Sequence, residues 1–188
     1  MKKNTDLRVV KTQKAIYNAL LELMKDKSFE SIKVSDICAT ALVNRSTFYA
    51  HYEDKYELLV DFVDTLKSAL AKTLEQNENI FNTREYYIEM IRLLLEHMED
   101  KKDVYYSMLL NNRGSITSDI IIDTLSKDIK KRLQKEPKVK SNVPSEIISV
   151  FYLGAVAGVV IKWLMSPKDY TKQEIIDYLD VLIPEDIV

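Results

Sequence analysis

Six side chains that can bind a nucleic acid lie close together between residues 43 and 55. The stretch interleaves aromatic rings with several kinds of hydrogen-bond donor: Arg45, Ser46, Thr47, Tyr49, His51 and Lys55. An arginine in the first turn of an exposed helix is well suited to read the O6 and N7 atoms of guanine. Hydroxyl, imidazole and ammonium groups beside it can donate to phosphate oxygens. This combination indicates contacts with bases and phosphates rather than catalysis.

Two short helices must position these side chains. The sequence predicts one helix over Val34–Ala41 and a second over Arg45–Tyr52, joined by a turn of two or three residues. In the second helix, three residues share one face: Arg45, Ser46 and Tyr49. Phe48 lies toward the opposite side and is predicted to anchor the helix, while Tyr52 is predicted to be a buried wedge. Two helices joined this tightly form a helix-turn-helix, whose second helix enters the major groove of DNA.

Two longer helices flank this motif. The first is predicted over Val10–Lys25, with Thr12 as a phosphate donor in an early turn. Asn44 is predicted to cap the short second helix of the motif, and Asp54 to cap a long helix that ends near Leu74. His51 is equally compatible with a phosphate contact and with a capping role.

The rest of the chain also has helical spacing. The sequence holds only three Gly and four Pro, which disfavours sheets with many turns. Further helices are predicted over Arg84–Glu99, Asp103–Asn111, Ser115–Lys135, Pro144–Met165 and Thr171–Ile183. We therefore expect an all-α fold of about nine helices. A three-helix head over residues 1–53 would precede a helical effector-binding and dimerisation body over residues 54–188.

Charge is distributed unevenly along the chain. Residues 1–55 contain ten Lys or Arg and seven Asp or Glu, a net charge of +3. Residues 56–188 contain 17 basic and 22 acidic residues, a net charge of −5. The basic end is the end with the helix-turn-helix, as binding to a double-stranded DNA operator requires.

Catalytic and metal-binding patterns are absent from the sequence. The two histidines, His51 and His97, and the single Cys38 form no nucleophile–base spacing, and no glycine-rich phosphate loop occurs. The acidic residues around His97 are more simply a solvated face than a ligand set. We therefore expect no enzyme activity, no catalytic residue, no metal and no cofactor.

No membrane segment or leader is predicted. The longest apolar candidate, residues 147–165, is interrupted by Ser149 and Lys162, and the basic N-terminus is not followed by an apolar core. One cysteine excludes an internal disulfide framework. These features predict a cytoplasmic protein without a membrane partner.

The stretch over about residues 10–60 resembles the DNA-binding head of TetR/AcrR-family transcriptional regulators. The resemblance rests on the apolar pattern of residues 16–24, Phe29, the segment Val34–Ile37 and the segment Asn44–Lys55. It implies that four residues bind phosphates: Thr47, Tyr49, His51 and Lys55. It also implies that two residues read bases: Arg45 and Ser46.

The chain departs from the family pattern at the turn and at the start of the second helix. The family usually has glycine between Ala41 and Val43, where this chain has Leu42, and often has glycine at Ser46. It often has a capping threonine at Lys33. Because the chain lacks that threonine, we expect Ser35 to replace it in the phosphate contact of this helix.

The resemblance further implies that the last two helices of each subunit pair in a homodimer. A helix that is apolar on nearly all sides, as residues 150–161 are, must be covered on nearly all sides, either by a second subunit or by its own. Small residues on it would allow close helix approach. The predicted interface comprises Phe151, Gly154, Ala155, Gly158, Ile161, Ile175, Tyr178, Leu179 and Leu182.

An effector site is predicted among aromatic and methionine residues of the body, although the same residues could be packed core. The candidate lining is Phe62, Tyr87, Met90, Tyr105, Met108 and Trp163. The sequence around residues 103–114 and 151–155 loosely resembles one subgroup of the family, which includes the activator of dihydroxyacetone kinase operons. Two functions therefore remain open: a repressor released by an effector, and an activator whose body binds a partner protein.

Overall fold

The computed structural model describes residues 7–74, 82–112, 116–134, 143–166 and 169–184. Within these ranges the regular elements are nine α-helices and a short 3₁₀ turn, Phe29–Ser31, with no strand. The helices are α1 Leu7–Asp26, α2 Val34–Ala41, α3 Arg45–Tyr49, α4 Lys55–Leu74, α5 Thr83–Glu99, α6 Lys102–Asn111, α7 Ile116–Leu133, α8 Ser145–Met165 and α9 Lys172–Leu182. The predicted all-α fold is confirmed.

The predicted helix bounds agree closely with these, with one functional exception. Helix α3 ends at Tyr49 rather than Tyr52, because the next hydrogen bond tightens: the His51 amide donates to the Phe48 carbonyl at 2.9 Å, a spacing of three residues. The sequence also predicts a polar linker over residues 77–83 and a loop over residues 135–143, and most of both lies outside the described residues.

The first compact unit comprises Met1–Phe62 and Asp103–Ser118. Within it α1 packs against α2, and α2 packs against α3. Its core is built from fully buried side chains of α1, the 3₁₀ turn, α2 and α3: Ile16, Leu20, Met24, Phe29, Ile37 and Phe48. Phe48 therefore anchors α3 as predicted. The unit is discontinuous in sequence, whereas the boundary predicted at residue 53 is a single cut.

The second compact unit comprises Val63–Lys102 and Asp119–Val188. Within it α9 packs against α5 and α8. Arg84 of α5 closes the C-terminal end of α9, since its Nε donates to the carbonyl of Ile183 at 2.8 Å and its guanidinium pairs with Asp180 at 2.9 Å. This contact supplies a donor to carbonyls that have no partner within the helix.

Only one of the two predicted N-caps makes cap bonds. The Asp54 carboxylate accepts the amides of Tyr56 and Glu57 at 2.8 and 2.9 Å, so it caps α4 as predicted. Asn44 occupies the N-cap position of α3 but its side chain makes no cap bond, so its predicted capping role is wrong. The exposed start of α3 thus keeps free amide groups.

The turn of the helix-turn-helix is closed by a residue in a left-handed conformation. Leu42 has φ 56° and ψ 41°, and it is the one described non-glycine residue with positive φ. Its amide and that of Val43 donate back to carbonyls of α2 at 3.3 and 3.0 Å, which ends that helix. Glycine adopts this conformation without steric cost, whereas leucine does not.

We expect Leu42→Gly to raise the free energy of unfolding by about 0.5–1 kcal/mol, since the steric relief exceeds the added flexibility of the unfolded chain. The leucine side chain is 92% exposed, so little packing is lost. Leu42→Ala keeps the Cβ atom and should change the value by less than about 0.5 kcal/mol. Urea denaturation measures both. A glycine variant less stable than the alanine variant would contradict this account of the turn.

Candidate nucleic-acid interface

The predicted reading face of α3 is open to solvent. Arg45, Ser46 and Tyr49 are exposed, whereas Phe48 on the opposite side is fully buried. The Tyr49 ring stacks edge-on against Phe48, with ring centroids 5.5 Å apart, and remains 52% exposed. A helix of five residues thus presents its polar side chains outward because one aromatic side chain fixes its inner face.

The remaining predicted contacts lie around this helix in the same compact unit. Ser35 is exposed in the first turn of α2, whereas Thr12, Thr47 and His51 are half-buried. The His51 ring packs at 6.1 Å from the ring of Tyr52. The structure leaves all four of these contacts as predictions.

The start of α2 and its single thiol have defined electrostatics. The Asp36 carboxylate accepts the Lys33 amide at 3.2 Å and lies 3.5 Å from the Lys27 ammonium. The backbone hydrogen bond and the nearby ammonium keep the pKa of Asp36 below its usual value. Burial raises the pKa of the Cys38 thiol. A buried protonated thiol is a poor nucleophile, so Cys38 acts as a small core residue.

Lys55 has a different environment from the one predicted for a phosphate ligand. Its ammonium donates to the backbone carbonyls of Phe29, Glu30 and Ile32 at 2.9, 2.8 and 2.8 Å. It also lies 5.0 Å from the centre of the Phe29 ring, and burial lowers its pKa. An ammonium group has three donors, so all are engaged within the protein. In this structure Lys55 ties α4 to the 3₁₀ turn instead of facing outward.

A second set of hydrogen bonds to α4 was not predicted from the sequence. The hydroxyls of Tyr17 and Tyr52 donate to one carboxylate oxygen of Asp61, at 2.5 and 2.9 Å. Tyr52 is only 3% exposed, as predicted for a wedge, and burial together with these hydrogen bonds raises its pKa. The available signal was the presence of Tyr17 and Asp61 within otherwise apolar helical patterns.

Most of the predicted dimer surface is exposed, and two of its residues are not. Exposed positions on α8 and α9 include Phe151 at 66%, Ile161 at 37%, Tyr178 at 47% and Leu182 at 65%, with Gly154, Ala155 and Gly158 between them. Ile175 and Leu179 are instead 4% and 2% exposed, because that face of α9 packs inside its own subunit. They are therefore removed from the candidate interface, which the remaining residues define as the α8–α9 surface.

The α8–α9 surface has room at its glycines and further apolar residues. A Cβ atom added at Gly154 or Gly158 would meet no atom within 4 Å. Ile147, Val150 and Val181 are also exposed and were missed. Helix α8 has 21 residues and an 18-residue window with a mean hydropathy of 2.0, so it is long and apolar enough to cross a membrane by length and composition alone, a test that the core helix of a globular protein also passes. An apolar helix exposed to this extent needs a cover.

The predicted effector residues do not coincide with the pocket that the structure describes. Phe62, Tyr105 and Met108 belong to the first compact unit, whereas Tyr87, Met90 and Trp163 belong to the second. A pocket of about 310 Å³ in the second unit shares only Trp163 with the predicted set. It is lined by Glu99, Lys102, Trp163, Asp169, Tyr170, Thr171, Lys172 and Glu174. Five of these eight residues are charged, in contrast to the apolar lining that was predicted.

Two family models match the chain. The model for bacterial regulatory proteins of the tetR family matches residues 16–62, and the model for a transcriptional regulator C-terminal region matches residues 85–185. The first covers the helix-turn-helix and the second covers more than half of the sequence.

Relatives of known sequence and structure agree with these matches. Over 59 residues the chain is 36% identical to the uncharacterized HTH-type transcriptional regulator YxbF of Bacillus subtilis, which is 31% of this chain and 16% of that protein. Over 98 residues it is 28% identical to the HTH-type dhaKLM operon transcriptional activator DhaS of Lactococcus lactis, which is 52% of this chain and 48% of that protein. The alignments therefore span about half or less of these relatives.

A solved structure matches over almost the full length. The TetR transcriptional regulator from Streptococcus agalactiae is 27% identical, with a TM-score of 0.62 over 96% of this chain and 97% of that one. These matches show that the chain belongs to the TetR family, whose family models and solved neighbours describe bacterial transcriptional regulators rather than enzymes.

Proposed function

We propose that this regulator is a homodimeric repressor that leaves its operator when an effector binds its body. The observation that carries the proposal is the exposed reading face of α3, held outward by the buried Phe48. It lies in the part of the chain with a net charge of +3, which favours approach to a polyanion.

Arg45 carries base recognition in this proposal. It is exposed in the first turn of α3, where side chains of a recognition helix reach base edges, and Ser46 lies beside it. Phosphate contacts that fix the register come from Thr47 and Tyr49 on the helix, from His51 just after it, and from Thr12 and Ser35 on the preceding helices. The phosphate role of Lys55 would first require its ammonium to leave three carbonyls.

A second copy of the chain covers the α8–α9 surface. TetR-family regulators dimerise, and the exposed Phe151 and Leu182 next to Gly154 and Gly158 offer an apolar surface with room for close approach. Such a dimer presents two copies of α3 to half-sites about 34–36 Å apart or at a multiple of that distance. A partner copy also explains an apolar α8 without a membrane.

The head is tied to α4 in a way that suits control by an effector. Asp61 accepts two tyrosine hydroxyls from α1 and from the end of the recognition segment, and Lys55 binds the 3₁₀ turn. Helix α4 continues for a further twelve residues beyond Phe62. A displacement of α4 by an effector in the body would therefore carry the reading face with it.

An activator with a protein partner is the second candidate. It is favoured by the 28% identity to DhaS, which is an operon activator, over about half of this chain. Transcription in vitro from a promoter that carries the selected operator separates the two functions, because a repressor lowers the transcript level and an activator raises it. Adding candidate metabolites or purified partner proteins then distinguishes a small-molecule effector from a protein.

Arg45→Ala should weaken binding to the operator, selected from random duplexes, by about 1–3 kcal/mol and relax the preference at one base pair. Arg92→Ala removes the same charge from α5 in the second compact unit and should leave binding unchanged. Titration of labelled duplexes at constant salt measures both. Equal affinity and equal base preference for wild type and Arg45→Ala would exclude Arg45 as a base reader.

Lys55→Met should lower the free energy of unfolding by about 2 kcal/mol, since three carbonyls lose a charged donor. The salt dependence of operator affinity should not change. Lys33→Met removes an exposed charge from the same head and should leave stability nearly unchanged. Denaturation and a salt titration measure these effects. A stable Lys55→Met protein whose salt slope falls by about one would instead support the phosphate role.

Gly158→Leu should raise the dimer dissociation constant about tenfold or more, because the added side chain overpacks the subunit contact. Within one subunit the position is open, and leucine is the better helix former, so the protomer itself should not lose stability. Ala69→Leu, at an exposed position of α4, is the matched control. Sedimentation equilibrium decides: a wild type that stays monomeric, or a variant that dimerises equally well, overturns the proposed interface.

A further inference from the structure

Asn112, directly after α6, is a buried polar residue with both functional groups of its side chain engaged. It is 7% exposed. Its Oδ1 accepts the amide of Phe29 at 2.7 Å, and its Nδ2 donates to the carbonyl of Met108 at 2.8 Å. Buried amides are costly when they lack a partner, and an asparagine supplies an acceptor and a donor from one short planar group. Asparagine at position 112 is thus explained by the two hydrogen bonds that its side chain makes rather than by its contribution to apolar packing.

The amide that Asn112 satisfies belongs to the 3₁₀ turn Phe29–Ser31, and neighbouring contacts hold the same turn. The side chain of Asn111 donates to the carbonyl of Lys25 at the end of α1. The amide of Ile116, the first residue of α7, donates to the Glu30 carboxylate at 3.2 Å. These three bonds join segments that are more than 80 residues apart in sequence, all within the first compact unit.

The turn is also the point from which the helix-turn-helix is oriented. It connects α1 to α2, and its first residue, Phe29, and the residue that follows it, Ile32, are almost completely buried. Because α2 packs against α3, the position of the turn sets the position of both helices. On the opposite flank of the motif, Lys55 binds the carbonyls of the turn from α4.

We propose that Asn112 is a positioning residue for DNA recognition, which links the end of α6 to the orientation of the helix-turn-helix. The inference rests on the proposed operator binding and adds a route of control to it. Asn112 touches neither base nor phosphate: it acts through the Phe29 amide. Any event that moves the end of α6 away from the turn breaks the bond between Asn112 and the Phe29 amide and lets α2 and α3 move. Operator binding must then order these helices again, and the free energy of that ordering weakens the binding.

The test compares Asn112→Ala with Asn82→Ala. Asn82 also accepts one backbone amide, that of Glu85 at 2.8 Å, but it caps α5 in the second compact unit. Both variants lose one side-chain-to-amide bond. Affinity for the selected operator duplex, its salt dependence and base preference, and hydrogen exchange of the Phe29 amide are measured at a temperature where both proteins are folded.

Asn112→Ala should bind the operator about tenfold more weakly, with unchanged salt dependence and base preference and faster exchange at Phe29. Asn82→Ala should bind like wild type. Equal losses in both variants would show a general effect of stability, and an unchanged affinity in Asn112→Ala would show no coupling; either result overturns the proposal.

If Asn112→Ala does not fold, Asn111→Ala takes its place, because that exposed side chain makes a single bond to the end of α1. A loss of about threefold in operator affinity supports the coupling, and wild-type affinity overturns it. A wild-type protein that binds no duplex at all is a separate outcome, which removes the proposed function rather than the positioning role alone.

Discussion

The recognition helix depends on the burial of one aromatic ring. Helix α3 has five residues, far fewer than a helix needs to persist alone in water. Its conformation is maintained because Phe48 is fully buried and because α3 packs against α2. Among the exposed residues Tyr49 adds an edge-on ring contact to Phe48, whereas Arg45 and Ser46 lie in solvent, where their types can serve recognition.

Polar bonds between distant parts of the chain complete the head. Asp61 accepts hydrogen bonds from two tyrosine hydroxyls, Lys55 donates to three carbonyls, and Asn112 accepts a buried backbone amide. In each case a buried polar group would be costly without its partner, so the bonds specify one arrangement rather than several. The compact unit that contains the helix-turn-helix is consequently not one segment of the chain but two, Met1–Phe62 and Asp103–Ser118.

Local patterns were sufficient to predict the helices, and insufficient to predict these bonds. The spacing of apolar residues located α2 to the residue, and Asp54 before α4 behaved as an N-cap sequence does. The bond from the Phe29 amide to Asn112 leaves no local signal, since the two residues are 83 positions apart in sequence. Lys55 binds carbonyls of its own chain in this structure, and the sequence could not show this, because a cation near a helix start looks the same whether it binds a phosphate or a carbonyl. Ile175 and Leu179 were misplaced because helical spacing shows that a face is apolar but not which neighbour covers it.

The uncovered face of α8 links the amount of this regulator to its action. A single protomer exposes Phe151 and Leu182 to water, which favours association with other apolar surfaces. Separation of a pair into protomers on dilution is therefore unfavourable. Where pairing is required for tight operator binding, the population of pairs grows with the square of protomer concentration at low abundance. Occupancy of the target would then rise more steeply than gene dosage, and a modest change in synthesis or turnover would act as a switch.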